Sequence, residues 1–195
     1  MNAHDLLWGM RPAHLPAEAP AWAAAALEAG HPVVVRRAVC DAGQVPVGIR
    51  GRLREQRYGT LMPRSAVLRC VSPEALREST SPRDLPALRA LDQLRPWLEG
   101  LEWGVSGSAG FELATGIEAL NEHSDLDLIL RTPRPLNRAD ARALLAMLDT
   151  AVCPVDLQLQ TPRGAVALRE WAGASQRVLL KNAGGACLVE DPWHE

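Results

Sequence analysis

Ser124-Asp125-Leu126-Asp127-Leu128-Ile129-Leu130 is the stretch on which the reading of the fold turns. In a strand, successive side chains alternate between faces, so Asp125 and Asp127 share one face about 7 Å apart, while Leu126 and Leu128 turn the other way into a core. Two carboxylates on one face of an apolar strand repel each other. A hard divalent cation, Mg²⁺ or Mn²⁺, is the usual partner for such a pair, because it prefers carboxylate oxygens and keeps water or phosphate as its other ligands. The alternative is a solvated edge strand that uses charge to block edge-to-edge pairing.

A second strand-like run, Val155-Asp156-Leu157-Gln158-Leu159, repeats the pattern and offers a third carboxylate. An isolated Asp after Cys153-Pro154 can also simply begin a strand. Upstream, Ser106-Gly107-Ser108-Ala109-Gly110 follows a strand-like run and opens a helix. Its amides and the Ser108 hydroxyl are placed to cradle a phosphate at the positive end of the helix dipole. The competing reading is an ordinary turn with Ser108 as helix cap.

Around these motifs the pattern is α/β, with helices on a small mixed sheet. Helices are expected over residues 20–29 (closed by Gly30), 86–94, 109–115, 137–148 with Asn137 as cap, and 164–172. Strands are expected over 33–35, 45–49, 125–130 and 155–159, and an apolar segment, 178–180, precedes a C-terminal tail. Residues 72–96 hold four prolines among serines and charges. That is the composition of a boundary, and the domain change is placed near residue 90, giving regions 1–90 and 91–195.

The chain has 195 residues, 47% of them hydrophobic, and a formal net charge of −2, which argues against indiscriminate nucleic-acid binding. No apolar run approaches the roughly 20 residues that cross a bilayer, and the N-terminus lacks a signal-peptide pattern. The four cysteines, Cys40, Cys70, Cys153 and Cys187, are too far apart for a zinc grip or a disulfide framework, so a cytoplasmic protein with reduced thiols is expected. Basic charge is carried by arginine except at Lys181.

Gly107-Ser108, Asp125-Leu126-Asp127 and Asp156 together resemble the signature of polymerase-β-type nucleotidyltransferases. More narrowly, the run from Gly107 through Phe111-Glu112 to Gly116, Ser124-Asp125-Leu126-Asp127-Leu128, the run from Thr161 to Trp171 and the closing Asp191-Pro192-Trp193 resemble malonate decarboxylase holo-acyl-carrier-protein synthases, the phosphoribosyl-dephospho-CoA transferases. His4-Asp5-Leu6-Leu7-Trp8 and Val47-Gly48-Ile49-Arg50-Gly51 are similar to that family's N-terminal portion. The gap between Ser108 and Asp125 is longer than in many members of the wider superfamily. The resemblance implies a polymerase-β-like catalytic domain with a smaller N-terminal α/β region. It also implies transfer of phosphoribosyl-dephospho-CoA from triphosphoribosyl-dephospho-CoA to a serine of the apo acyl carrier protein of malonate decarboxylase, with release of pyrophosphate. In that scheme Asp125, Asp127 and Asp156 hold Mg²⁺ or Mn²⁺, Asp156 assists the attacking serine, and Gly107 and Ser108 hold the triphosphate. A synthase for the citrate lyase carrier, another nucleotidyltransferase, and a silent binding module are the competing readings.

Arg50, Arg52, Arg54 and Arg57 form the densest basic stretch, suited to the phosphates of the CoA moiety or to an acidic carrier surface, or else to a solvated loop. Lys181 either reaches a substrate phosphate or ends an apolar run in water. His123, beside the carboxylates, is assigned a supporting role or none. Trp8, Trp97, Trp103, Trp171 and Trp193 are expected in cores or interfaces.

Overall fold

A computed structural model describes residues 1–53 and 55–194, and Arg54 therefore lies outside the described residues. The chain divides into two compact units, Met1–Ser72 and Pro73–Glu195. Residue 90, where the composition suggested a change, lies inside a helix of the second unit. The prolines of that stretch do structural work: Pro73 opens a short 3-10 turn, and Pro86 is the first residue of a helix, where a missing N–H costs no hydrogen bond.

Among the described residues the first unit is a five-stranded antiparallel sheet with one α-helix. Its elements are β1 (Leu6–Trp8), α1 (Ala21–Glu28), β2 (Val33–Val35), β3 (Gln44–Arg50), β4 (Arg57–Pro63) and β5 (Arg69–Val71), in the spatial order β4-β3-β2-β1-β5. Alternation decides the faces. Val45, Val47 and Ile49 are buried with Leu7, Val33, Val35 and Met62, and Ala23, Ala26 and Leu27 of α1 complete this core. Gly30, at φ 77°, ends α1 in the left-handed conformation that glycine reaches without steric penalty.

The second unit is a six-stranded sheet in the order β11-β10-β9-β8-β7-β6. In chain order it comprises α2 (Pro86–Leu94), β6 (Trp103–Val105), α3 (Gly107–Thr115), β7 (Leu126–Arg131), α4 (Arg138–Leu148), β8 (Val155–Thr161), β9 (Gly164–Ala167), α5 (Leu168–Ala172), β10 (Val178–Asn182) and β11 (Gly185–Val189). Among the described residues only β7 and β8 run parallel, and α4 supplies the crossover that parallel strands require. Asn137 caps α4 by accepting the Asp140 N–H at 2.8 Å, worth about 1 kcal/mol. Leu126, Leu128, Leu157 and Leu159 are buried, each burial contributing roughly 1.5–3 kcal/mol and fixing which face of β7 and β8 turns outward.

Three local expectations are corrected. Residues 164–172 begin as a strand, because Gly164 at φ 154° turns the chain back so that Ala167 pairs with Gln158, and only the Leu168–Ala172 part is helical. The C-terminal tail is the edge strand β11. Trp103, Trp171 and Trp193 are buried, but Trp97 is 70% exposed on a 3-10 turn. No described helix is long and apolar enough to cross a membrane.

Candidate active site

The parallel pairing of β7 with β8 sets Asp127 directly opposite Asp156. Register partners in a parallel pair point to the same face, so two carboxylates stand side by side one strand spacing apart, about 4.8 Å between backbones. Asp125, just ahead of β7, shares the parity of Asp127. The burial pattern agrees: Leu126 and Leu128 are buried, Asp125 and Asp127 are partly accessible, and Asp156 is exposed.

The N-terminus of α3 is built onto Asp127. The Ser106 N–H donates to the Asp127 carbonyl at 2.9 Å, and the Ser106 hydroxyl approaches the same oxygen at 3.4 Å. Ser106 is thus the residue at the cap position, and the Ser108 cap reading is corrected: Ser108 is the second helical residue. Gly107 has φ 61° and lies against the Asp127 carboxylate; a Cβ at this position would overlap Oδ2. Glycine is required here twice over, by conformation and by space.

The segment between α3 and β7 is held by a residue that sequence reasoning did not single out. Glu112, on α3, is 4% exposed and receives both contacts of the Arg83 Nη1 donor, at 3.0 and 2.9 Å. Its Oε2 also accepts the N–H groups of Ala119 and Leu120, at 2.8 and 2.9 Å. Arg83 Nη2 reaches the Leu120 carbonyl at 3.4 Å. One buried carboxylate therefore ties the helix carrying Gly107 and Ser108 to the loop that delivers Asp125. The signal available beforehand was an acidic residue in an otherwise small or apolar helical run.

Electrostatics locate the other carboxylates. Burial, and then the charge of Asp125, push the Cys153 thiol above its ordinary value. Arg169 is held above its usual range first by its hydrogen bond to Asp149, with smaller contributions from the charges of Asp149 and Asp156. The carboxyl donors are hard oxygens on one face, which suits Mg²⁺ or Mn²⁺ in chemistry. Among the described residues, no three His, Cys, Asp or Glu side chains converge closely enough to hold an ion as they stand.

The remaining candidates lie elsewhere. Lys181 is exposed on β10, opposite Ala165, which pairs with Gln160 on β8. One strand separates it from β8, and four residues along β8 separate Gln160 from Asp156, so its backbone is roughly 16 Å from that of Asp156. Arg50 ends β3 opposite Arg57, and Arg52 is exposed at the hairpin tip, all within the first unit. His123 is exposed, with its N–H bound to the Asn121 side chain in a turn.

The C-terminal motifs serve the scaffold. The Trp193 indole N–H donates to the Thr132 carbonyl at 2.7 Å, and its ring meets Trp171 edge-on with centroids 5.1 Å apart. The Thr161 hydroxyl donates to the Pro192 carbonyl at 2.7 Å, and Arg163 to that of Asp191 at 2.7 Å.

Comparison with known proteins covers both units. Residues 2–73 match the family described as phosphoribosyl-dephospho-CoA transferase MdcG N-terminal domain, and residues 75–192 match its C-terminal domain. A phosphoribosyl-dephospho-CoA transferase of Pseudomonas fluorescens strain Pf0-1 is 62% identical over 98% of this chain and 94% of its own length. The protein of the same name from Pseudomonas aeruginosa is 58% identical over 97% of this chain and 92% of its own. No solved structure matches the chain.

Proposed function

The chain belongs to the phosphoribosyl-dephospho-CoA transferase family, and from that membership we infer that this transferase loads the apo acyl carrier protein of malonate decarboxylase. The donor in this reading is triphosphoribosyl-dephospho-CoA, and the carrier's serine is the acceptor. The serine oxygen bonds to the phosphorus next to the ribose, the bond from that phosphorus to the pyrophosphate oxygen breaks, and pyrophosphate leaves. The observation that carries the chemistry is the register pairing of Asp127 with Asp156 beside the N-terminus of α3.

Each residue then has a distinct task. Asp125, Asp127 and Asp156 would hold Mg²⁺ or Mn²⁺, as in polymerase-β-type nucleotidyltransferases. Such ions supply charge neutralisation at the phosphate oxygens. Asp156, the most accessible of the three, accepts the serine proton. The Gly107 and Ser108 amides and the Ser108 hydroxyl bind the triphosphate, where the helix dipole favours anionic charge. Arg50 and Arg52 add positive potential for an anionic donor, and Lys181 would meet only a distant phosphate of an extended substrate. The reaction takes place in the cytoplasm.

Intact-mass measurement tests this reading. The purified protein, the apo carrier of malonate decarboxylase, triphosphoribosyl-dephospho-CoA and Mg²⁺ should give a carrier heavier by one phosphoribosyl-dephospho-CoA, and EDTA should abolish the gain. Loading of the citrate lyase carrier alone would redirect the acceptor. Pyrophosphate release from an ordinary nucleoside triphosphate alone would replace the donor. No turnover with any donor would leave a binding module.

A further inference from the structure

Where α5 ends, the second unit holds a cleft of about 520 Å³, lined by Arg138 and Arg142 of α4, the chain from Gly173 to Gln176, and Glu190, which follows β11. Arg138 is fixed in place before any ligand arrives. Its guanidinium lies over the Trp171 ring, 4.2 Å from the centroid, and its Nη1 donates to the carbonyls of Trp171 and Gly173 at 3.0 and 2.9 Å. The ring is held in turn, because its indole N–H donates to the Leu136 carbonyl at 2.7 Å and Trp193 packs edge-on against it. Those contacts occupy one face and one nitrogen of the guanidinium. The N–H groups of Nε and Nη2 remain, side by side on the edge that takes two oxygens of an oxyanion at once. A fork held still in advance loses less freedom when it binds.

Arg142 stands one turn further along α4, on the same face as Arg138, where like charges oppose each other. Arg142 and Glu190 are both exposed, and neither has a hydrogen bond or ion pair with another described residue. The cleft therefore carries two positive groups and one carboxylate that neutralises neither. An ionised carboxylate only accepts hydrogen bonds, so its partner in a ligand is a hydroxyl or another donor. Gln176, exposed on the same cleft, both donates and accepts.

We propose that this cleft binds a sugar phosphate, with the phosphate on Arg138 and Arg142 and the hydroxyls on Glu190 and Gln176. A bare phosphate would leave Glu190 beside a like charge, and the volume falls in the range of roughly 300–1,000 Å³ that encloses small metabolites. The site is separate from the carboxylates. Because α4 is the crossover from β7 to β8, Arg138 at its start stands at the opposite end of the strands from Asp156, near the start of β8. The 11 residues of α4 set those ends about 16 Å apart, so a phosphate on Arg138 is not one that reacts beside Asp156. The same ribose phosphate comes from two sources, a free sugar phosphate or a nucleoside 5′-phosphate.

Calorimetric titration of the full chain tests the site, with ribose 5-phosphate, adenosine 5′-monophosphate and inorganic phosphate as separate probes. Arg142→Gln removes the second guanidinium, and Glu190→Ala removes the acceptor. Both side chains are exposed, so the unfolding midpoints should stay near that of the parent. Arg134→Gln, which removes an exposed arginine outside the cleft, controls for net charge. Affinity for ribose 5-phosphate should fall roughly tenfold or more in Arg142→Gln and in Glu190→Ala, and stay at the parent value in Arg134→Gln. Inorganic phosphate should weaken in Arg142→Gln but hold or tighten in Glu190→Ala, which loses only a repelling charge. Tighter binding of the nucleotide than of ribose 5-phosphate identifies a nucleotide as the source, and the reverse order identifies a free sugar phosphate. A parent chain that binds none of the three probes overturns the site. So does affinity unchanged in Arg142→Gln and Glu190→Ala, which would put the binding elsewhere, or an equal loss in Arg134→Gln, which would reduce it to general charge. Ribose 5-phosphate that binds no better than inorganic phosphate and ignores Glu190→Ala overturns the sugar assignment.

Discussion

The α-carbon of Gly107 rests against the carboxylate of Asp127, leaving no room for a methyl group between α3 and β7. Gly107→Ala therefore faces two separate costs: a left-handed conformation, about 1–2 kcal/mol for a residue with a Cβ, and displacement of Asp127. Transfer should be lost and the unfolding midpoint lowered. Asp127→Ala combined with Gly107→Ala should recover part of the stability without recovering transfer, because the overlap with the carboxylate is removed, leaving only the 2.7 Å approach of the two Cβ atoms, and the carboxylate itself is gone. A double-mutant cycle in thermal unfolding reads this directly. Strict additivity would refute the contact.

The carboxylates should differ in how they fail. Asp127→Asn and Asp125→Asn should reduce transfer by several orders of magnitude and abolish any Mg²⁺-dependent rise in unfolding temperature measured with donor present. Asp156→Asn should also impair transfer, with the loss partly offset at higher pH if its main task is to accept the serine proton. Arg52→Ala should weaken donor association mainly at low salt, since an exposed charge is screened at about 8–10 Å under ordinary ionic strength. Near-normal loading by Asp127→Ala, followed by intact mass, would sink the mechanism.

Glu112→Gln should act at a distance from the chemistry. The amide can still accept the Ala119 and Leu120 N–H groups but no longer pairs as an anion with Arg83. Removing one charge of a buried pair costs about 3–5 kcal/mol when nothing compensates; Arg83 is 30% exposed and water can reach it, so the lower end is expected. Amide hydrogen exchange over residues 116–125 should accelerate, and transfer should fall even where the chain remains folded. Unchanged exchange there would show that the loop is held by other contacts.

What was legible beforehand follows from periodicity and geometry. The alternation of Asp125, Leu126, Asp127 and Leu128 fixed a strand with one polar face, and Asn137 announced the start of α4. A strand's period does not reveal its neighbours. The parallel pairing that brings Asp156 beside Asp127 depends on the α4 crossover, and Lys181, chosen for its charge, stands two strands from β8, beyond β9, and well along the sheet. Glu112 was read only as part of a motif, because a buried acid is recognised by partners that are distant in sequence.

Cys153 reports on Asp125 without requiring turnover. Burial and the Asp125 charge both hold the thiol above its ordinary value, so at a given pH less thiolate is present than in an unhindered cysteine. Asp125→Asn removes the negative charge, lowers the thiol's value and raises the thiolate fraction. Alkylation of Cys153 by iodoacetamide, mapped by peptide mass, should become faster at a fixed pH near 8, and its pH profile should shift to lower pH. Asp156→Asn should leave that profile in place, since burial and Asp125 are what raise the thiol. An identical profile in the parent and Asp125→Asn would place Asp125 away from Cys153, and with it away from the turn that leads into β8.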